Sequence, residues 1–439
     1  MNKSALYISI TASIGIFELF ELIEREFDSC FFLESQGENA KDARYSCIGF
    51  APKKIIECPP EGANSDSYYS MRDFINPNYL SAHKFSGGLI GYISYDAMPL
   101  FEPSLSISSH NNFPLYLFGL YEDGLLFDKI TGVLSYFYHS EDRSGIIKKI
   151  IKGVKETGRQ KLQFRSKGET MTRKQHTEAV KEVVNEIRKG NTFQCQIGFK
   201  RNFDIKGNAL RFYSELRKVN PSPHMYYLKF GGRVIIGASP ELLLNTNDGI
   251  METYPLAGTI HRGSSAEKDM RLAELLLSDP KELAEHSMLV DLHRNDLGKV
   301  ARIGSVRIPR LMEVKRFSHV QHISSEVMGL MSHDNDVFSA LAATFPAGTL
   351  TGTPKIETMK IIERIEKNPR GPYGGAIGYF GFDGNCKMAI PIRSLFIADG
   401  EGYTQASGGI VWDSTPEGEY REIHNKLAAI QKAAEPFLV

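Results

Sequence analysis

Several features that would place this chain of 439 residues in a special class are missing. Lysine plus arginine and aspartate plus glutamate each number 52, so the net charge is zero. There is no basic excess of the kind that nucleic-acid-binding proteins carry, and no nucleic-acid partner is expected. No run of about 18 uncharged apolar residues occurs, so we expect no membrane-spanning helix. The N-terminal stretch lacks an apolar segment with a small-residue cleavage site, so no signal peptide is expected.

Cysteine is also scarce, and its spacing excludes two kinds of site. Five cysteines, an odd number, are scattered without the spacing of a disulfide framework or a zinc site. This pattern is typical of a reducing compartment, so we expect a cytoplasmic protein. The residues are Cys30, Cys47, Cys58, Cys195 and Cys386.

What the chain does contain is ordinary globular composition, 42% hydrophobic and 24% charged. A single core rarely exceeds about 250–300 residues, so two domains or one large two-layered domain are expected. Residues 1–142 read as a β-rich region, the polar, lysine-rich stretch 143–170 as a surface helix and linker, and 171–439 as a second region. An amphipathic helix is predicted there between the cap Thr172 and Gly190. Because strands cluster in adjacent runs, we predict an α+β fold of antiparallel sheets packed with outer helices.

Two helix starts in the second region carry paired acids. Asp279 and Thr415 are good N-caps, and a proline follows each of them. Acids in a first turn stabilise a helix by about 0.3–1 kcal/mol each, which alone would explain them. Residues three apart also share a helix face, so each pair can direct two carboxylates at one point. If the pairs met, a hard cation such as Mg²⁺ or Ca²⁺ would be needed to hold them. The pairs are Glu282 with Glu285, and Glu419 with Glu422.

A series of phrases in fixed order connects the chain to a known family. They include "IGASPE", "YPLAGTIHRG", "DPKELAEHSMLVDLHRNDLGKV", "FPAGTLTGTPK", "GPYGGAIGYFGFDG", "IPIRS", "ASGGIV" and "EIHNK". Together they resemble the chorismate-utilising enzymes, most closely the large subunit (component I) of anthranilate synthase. The resemblance is strong over residues 170–435 and extends more weakly to "FFLES" and "ARYSCIGFAPKK" nearer the N-terminus.

The resemblance implies an α/β fold of antiparallel sheets with outer helices, and a lyase that converts chorismate and ammonia to anthranilate and pyruvate in tryptophan biosynthesis. Mg²⁺ would be held by the two acidic helix starts, with Glu285 and Glu422 as direct ligands and Glu282 and Glu419 acting through water. Magnesium keeps several waters in such sites, and it would neutralise the substrate's ring carboxylate.

The resemblance also implies roles for individual residues. His322 would move or stabilise a proton beside the ring, and Glu241 would help the ring hydroxyl leave, whereas His319 is interpreted as structural. The complete catalytic group would be His322, Glu241, Gln194 and Thr349. The substrate-binding group would be Gly258, Thr259, Tyr373, Arg393, Ser407, Gly408 and Gly409.

Two positions discriminate among the branches of the family. Branches that add water carry a lysine base where this chain has Gln194, and aminodeoxychorismate synthases commonly carry a nucleophilic lysine where it has Ala257. Both positions favour anthranilate synthase. Aminodeoxychorismate synthase component I, whose members do not all carry that lysine, and a catalytically silent chorismate or tryptophan sensor stay open as alternatives.

The resemblance finally implies two further partners. None of the cysteines lies in a Gly-x-Cys-x-Gly turn, so ammonia would come from a separate glutamine amidotransferase subunit. Tryptophan would act as a feedback inhibitor, bound between "LES" and "NPSPHMYY", where His224 replaces the family's usual aromatic residue. The implied inhibitor contacts are Leu33, Glu34, Ser35, Pro221, Ser222 and Met225.

Overall fold

The structure is a computed structural model. It describes residues 3–12, 14–36, 44–75, 79–80, 85–153, 161–316 and 320–439. Among the helices of these residues, none is long and apolar enough to cross a bilayer.

Ten α-helices are formed by the described residues. They are α1 (Ile16–Glu26), α2 (Ser65–Tyr69), α3 (Ser144–Lys152), α4 (Arg173–Arg188), α5 (Leu210–Val219), α6 (Ala266–Ser278), α7 (Pro280–Gly298), α8 (Val337–Thr344), α9 (Lys355–Glu366) and α10 (Pro416–Ala434).

Twenty-four strands accompany these helices within the same described ranges. They are β1 (Lys3–Ser4), β2 (Leu6–Ser9), β3 (Ser29–Glu34), β4 (Tyr45–Phe50), β5 (Lys54–Cys58), β6 (Tyr79–Leu80), β7 (Gly88–Ile93), β8 (Tyr116–Tyr121), β9 (Asp123–Asp128), β10 (Val133–Tyr138), β11 (Gln163–Glu169), β12 (Gln194–Lys206), β13 (His224–Phe230), β14 (Arg233–Ser239), β15 (Leu242–Asn247), β16 (Ile250–Thr253), β17 (Leu256–His261), β18 (Arg307–Arg316), β19 (Val320–Leu330), β20 (Gly352–Thr353), β21 (Ala376–Gly381), β22 (Cys386–Ala389), β23 (Ser394–Ala398) and β24 (Glu401–Ile410).

The strands form two large antiparallel sheets. The first sheet has the order β11-β12-β24-β23-β14-β13-β3-β4-β9-β10-β2, with β20 paired to β12. The second sheet has the order β17-β19-β16-β15-β22-β21-β7-β8-β5, with β18 paired to β19. A short parallel pair, β1 with β6, stands apart. The predicted α+β architecture of antiparallel sheets with helices is thereby confirmed.

Alternation along the strands explains how the sheets are covered. On β3, Phe31 belongs to a core that also contains Phe118 and Phe380 of the second sheet, so the two sheets share their largest core. The next residue, Phe32, points the other way and packs with Phe20 of α1. Successive side chains of a strand face opposite sides, so one strand serves both layers.

A third, smaller core packs helices α4, α9 and α10 against β12 and β24 of the first sheet. Cys195, Ile197 and Phe199 of β12 pack with Ile362 of α9 and Ile423 of α10. The even-numbered residues of β12 therefore face the opposite side of the sheet, away from these helices.

The stretch 143–170, predicted as a surface helix and linker, differs in part from that prediction. Helix α3 occupies the start of the 143–170 stretch. The end of the stretch forms β11 rather than a linker, and Phe164 of β11 is 1% exposed within the core. Both sheets also combine strands from either side of this stretch, as when β13 pairs with β3 and β21 with β7.

The helix starts were predicted more closely. Thr172 caps α4, and the two proline-led helices begin at Pro280 and Pro416 as expected. Asp279 accepts a hydrogen bond from the Lys281 N–H (2.9 Å), and the Thr415 hydroxyl accepts one from the Gly418 N–H (3.2 Å).

Candidate active site

The buried acid Glu241 lies in the short connection between β14 and β15. Its Oε1 accepts a 2.7 Å hydrogen bond from the Thr349 hydroxyl, which a 3₁₀ turn at Gly348–Leu350 presents. Burial raises the pKa of Glu241 to about 7, although the Thr349 hydroxyl and the charges of Lys426 and Arg393 oppose that rise. The carboxyl group can therefore keep its proton near neutral pH.

His322 lies on β19, opposite Thr259 of β17. Its Nδ1 is 2.8 Å from the Gly258 carbonyl oxygen and 3.1 Å from the Thr259 hydroxyl. A carbonyl only accepts, so Nδ1 carries the proton that is donated to Gly258, and Nε2 carries the lone pair. Burial lowers the pKa of His322 to about 4, so the ring is neutral at physiological pH.

Gly258 has a backbone conformation that favours glycine and leaves room for an acid. Its φ is +61°, and a β-carbon placed on it would lie 2.9 Å from Oε2 of Glu282. The strand that contacts His322 thus also approaches the first acidic helix start.

Two basic side chains connect the acid and the histidine. The positive charges of Arg393 and Lys426 both act on the pKa of Glu241 and on that of His322. The Lys426 ammonium donates to the carbonyl of Ser407 (2.8 Å) and pairs with Glu422 (2.7 Å). A site with two such cations is suited to an anionic ligand.

Tyr373 and Ser407 form one end of a buried hydrogen-bonded chain. The Tyr373 hydroxyl lies 2.9 Å from the Ser407 hydroxyl, which donates to Oε1 of Gln196 at 3.2 Å. Burial raises the pKa of Tyr373 to about 12, so its hydroxyl remains a donor. This series of hydrogen bonds runs from two residues of the predicted substrate-binding group to β12.

The paired acids of the two helix starts influence one another electrostatically. Burial is the largest cause that raises the pKa of Glu282 and of Glu285, and the charge of Glu422 contributes to both. Burial raises the pKa of Glu419 to about 7, again with a contribution from Glu422. The acids of the two helix starts therefore lie close enough to affect one another's ionisation.

The donor set fits a hard cation in its chemistry. Oε2 of Glu419 is buried and has no hydrogen-bond partner among the described residues, and a β-carbon on Gly408 would lie 2.6 Å from it. An orphaned buried carboxylate oxygen calls for a ligand. Within the described ranges, no three Asp, Glu, His or Cys side chains are already gathered at metal-holding distance. The carboxylates would therefore have to draw together around an ion.

A second cavity, apart from the residues described so far, lies between β3, β13 and strands of the second sheet. Its volume is about 810 Å³, and Leu33, Glu34, Ser35 and Met225 line it together with His224. Arg217 holds Glu34 through a 2.6 Å hydrogen bond. The Ser35 hydroxyl is buried and finds no partner among the described residues.

The structure brings most of the sequence-predicted residues into two groups, although their roles stay predictions. Pro221 is exposed, and neither it nor Ser222 lines the second cavity; Pro223 lines it instead. The Ser222 carbonyl binds the Gln36 N–H at 2.8 Å, which ties its loop to the end of β3. His319 lies outside the described residues.

Sequence reasoning missed Lys426 and Gln196 as members of the site. Lys426 follows Glu422 by one helical turn within "EIHNK", so the spacing was a usable signal. Gln196 lies on the same face of β12 as Gln194, but no nearby residue in the sequence indicates what that face contacts.

Comparison with known proteins gives a consistent result. The family model of chorismate binding enzymes matches residues 28–432. The chain is 48% identical to anthranilate synthase component 1 of Leptospira biflexa, over 99% of this chain and 96% of the relative. It is 44% identical to the protein of that name in Methanothermobacter thermautotrophicus, over 95% and 92%.

Solved structures give the same answer at the level of the fold. Anthranilate synthase component I from Streptococcus pneumoniae superposes with a TM-score of 0.78 at 32% identity, covering 88% of this chain and 92% of that one. The menaquinone-specific isochorismate synthase of Escherichia coli gives 0.76 at 18% identity, covering 98% and 94%, which bears on the fold alone. A protein with these motifs, this fold and these relatives belongs to the chorismate binding enzyme family, in the group of anthranilate synthase component 1.

Proposed function

We propose that this protein is the synthase subunit that converts chorismate and ammonia to anthranilate and pyruvate. One observation carries the proposal. A buried acid, Glu241, and a neutral histidine, His322, are both influenced by the same two positive charges, those of Arg393 and Lys426. The relatives named anthranilate synthase component 1 support the choice of reaction.

The chemistry follows from those protonation states. Glu241 retains a proton near neutral pH and gives it to the departing ring hydroxyl, which leaves as water. Ammonia adds to the ring carbon beside the one that bears the carboxylate. His322, neutral and with Nδ1 donating to the Gly258 carbonyl, accepts a ring proton at Nε2 as pyruvate is eliminated. Arg393 presents a planar guanidinium that matches a substrate carboxylate.

Gln194 selects ammonia rather than water as the nucleophile. The residue is 8% exposed at the start of β12, and its amide cannot deprotonate water. Ala257, opposite Ile323 of β19, has no nucleophilic atom that could attack the ring. Addition of water and covalent capture of the ring by this chain are therefore both disfavoured.

Magnesium is the cofactor that the acidic helix starts would hold. Glu285 and Glu422 would bind it directly, with Glu282 and Glu419 acting through water. The orphaned Oε2 of Glu419 supports this assignment. When bound, the ion would supply positive charge that neutralises the ring carboxylate of the substrate.

Ammonia would come from a glutamine amidotransferase partner. All five cysteines lie among the described residues, and each is a buried free thiol. Burial raises the pKa of each thiol, as it does for Cys195 and Cys386, so none is a ready thiolate nucleophile. The isolated chain should use ammonium salts but not glutamine.

Tryptophan would bind in the second cavity and oppose chorismate binding. The cavity holds an unpaired serine hydroxyl and the carboxylate of Glu34, which suit an amino acid ligand. The weak resemblance at "FFLES" supports the same assignment, and His224 bears on affinity rather than on the presence of the site.

Product analysis tests the proposal directly. The purified chain is incubated with chorismate, Mg²⁺ and ammonium near neutral pH, and products are identified by mass and fluorescence. We expect anthranilate and pyruvate in equal amounts. A para-substituted, pyruvate-retaining product would assign the protein to the aminodeoxychorismate branch instead, and absence of any turnover would favour a silent sensor.

A further inference from the structure

Two buried glutamines stand side by side at the start of β12. Gln194 and Gln196 are two residues apart, so their side chains share one face of the strand. The other face, at Cys195 and Ile197, is closed by the small helical core. The two glutamines are 8% and 7% exposed, so their amides lie within the protein rather than on its surface.

Both amide nitrogens converge on a single glycine. Gln196 pairs with Gly409 of β24 across the sheet. A β-carbon placed on Gly409 would lie 2.8 Å from Nε2 of Gln196 and 2.9 Å from Nε2 of Gln194. Any side chain at position 409 would fill the space between the two amides, and glycine leaves that space open.

A hydrogen bond from Ser407 fixes the orientation of the Gln196 amide. Its Oε1 accepts the Ser407 hydroxyl, and Ser407 in turn contacts the Tyr373 hydroxyl. With the oxygen held in this way, the N–H groups of the same amide are directed toward Gly409. The backbone is held as well, since the Gln196 carbonyl accepts from Arg370 at 2.9 Å.

The two amide nitrogens face open space rather than a protein acceptor. Among the described residues, neither Nε2 has a hydrogen-bond partner, and neither atom is fully buried, so both stay accessible from the space over Gly409. Amide donors that face open space without a protein acceptor are available to a ligand. Arg393 and Lys426 already make the neighbouring pocket attractive to an anion.

We propose that Gln196 is a further substrate-binding residue, whose amide donates a hydrogen bond to a carboxylate oxygen of the substrate seated over Gly409. Gln194 provides the adjacent donor, and Ser407 is a positioning residue that acts through Gln196. This inference rests on the proposed function, since it takes its substrate from there. It adds a side-chain donor to the substrate-binding group that the resemblance implies, which includes Gly408 and Gly409.

The test compares two substitutions that differ in one property. Gln196→Glu keeps the Oε1 acceptor for Ser407 and the side-chain volume, but replaces the donor by an anionic oxygen. Gln196→Leu removes both polar atoms. Gln163→Leu, at an exposed glutamine on the edge strand β11, is the matched control. Chorismate binding is measured by calorimetry with Mg²⁺ and without ammonium, and KM and kcat are then measured with ammonium.

We expect the Kd for chorismate to rise about 10- to 100-fold in Gln196→Leu, the range for a lost hydrogen bond to a charged group. It should rise further in Gln196→Glu, where two carboxylates repel. Ser407→Ala should raise it less, and Gln163→Leu should leave it unchanged. Thermal midpoints show whether each variant is folded.

Two results would overturn the inference. One is Gln196→Glu binding chorismate as tightly as the unmutated chain, since a purely structural role needs only the Oε1 acceptor. The other is a fall in kcat alone with unchanged Kd in Gln196→Leu. If the unmutated chain bound no chorismate, the proposed function itself would fail, which the same titration reveals first.

Discussion

Thr349 donates a 2.7 Å hydrogen bond from its hydroxyl to Oε1 of Glu241, a residue 108 positions earlier in the chain. The bond stabilises the ionised form of the carboxyl and so holds the pKa of Glu241 below the value that burial alone would give. The proton-donating acid is therefore tuned by a residue on a separate turn.

This relationship predicts the pH dependence of the reaction. Because Glu241 must be protonated to act as an acid and its pKa is about 7, kcat/KM should fall as the pH rises above about 7. Thr349→Val should move that fall to higher pH, since the bond that favours the carboxylate is lost. A pH profile of kcat/KM measures both, with the half-buried Thr177→Val on α4, remote in sequence from both residues, as control. An unmoved alkaline limb would contradict the role of Thr349.

The same raised pKa predicts a change in stability. The pKa of Glu241 is about 7 in the folded chain and near the ordinary 4.5 of a glutamate when unfolded, so burial destabilises the fold progressively as the pH rises from about 4.5 to 7. Glu241→Gln removes the ionisable group. Its thermal midpoint relative to the unmutated chain should therefore increase across that interval and level off above it. A constant difference would show that the acid is not buried in solution.

Metal dependence separates the acidic residues by position. Glu285→Gln and Glu422→Gln should each lower activity by more than about 100-fold, because replacing even an outer partner of a bound metal costs about 10–100-fold. Both should also weaken binding of Mg²⁺ alone, measured by calorimetry. Glu417→Gln is the matched control, since Glu417 lies on the same helix start but is exposed and pairs with Arg173. Full activity in excess chelator would exclude the magnesium site.

Inhibition by tryptophan should depend on the second cavity. Ser35→Ala is expected to weaken inhibition several-fold while leaving kcat nearly unchanged, because the buried Ser35 hydroxyl is available to a ligand. Ser46→Ala, on the neighbouring strand β4 and outside the cavity lining, is the control. Since coupling is reciprocal, chorismate should weaken tryptophan binding by the same factor. No effect of tryptophan at millimolar concentration would mean that this chain lacks the regulatory site.

The choice of nucleophile rests on Gln194. Gln194→Lys should raise formation of isochorismate relative to anthranilate, because an amine with a lowered pKa can deprotonate water. Gln163→Lys tests whether added charge alone has this effect. Products are quantified by chromatography at fixed ammonium. An unchanged product ratio would show that position 194 does not set the branch.

Local signals in the sequence were sufficient for the helix starts but not for the sheet partners. Asp279 followed by proline, and Thr415 followed by proline, define helix beginnings through chemistry within a few residues. The pairing of β12 with β24 joins residues about 200 positions apart, and no local pattern encodes that register. For this reason the resemblance to a family could group Glu241 with His322, whereas Gln196 emerged only from the three-dimensional arrangement.

The interleaving of strands in both sheets also constrains how the chain folds. β3 finds its partner β13 only after nearly two hundred further residues have been synthesised, and β7 must wait for β21 near the C-terminus. Such non-local pairing slows folding, because the entropy of closing a long loop is lost before the stabilising contacts form. β3 and β7 can pair early with β4 and β8, but the opposite edge of each strand stays open until the late strands emerge, and in that interval it is exposed to aggregation. We therefore expect a chain truncated before β13 to aggregate, because the open edges of its early strands would stay uncovered.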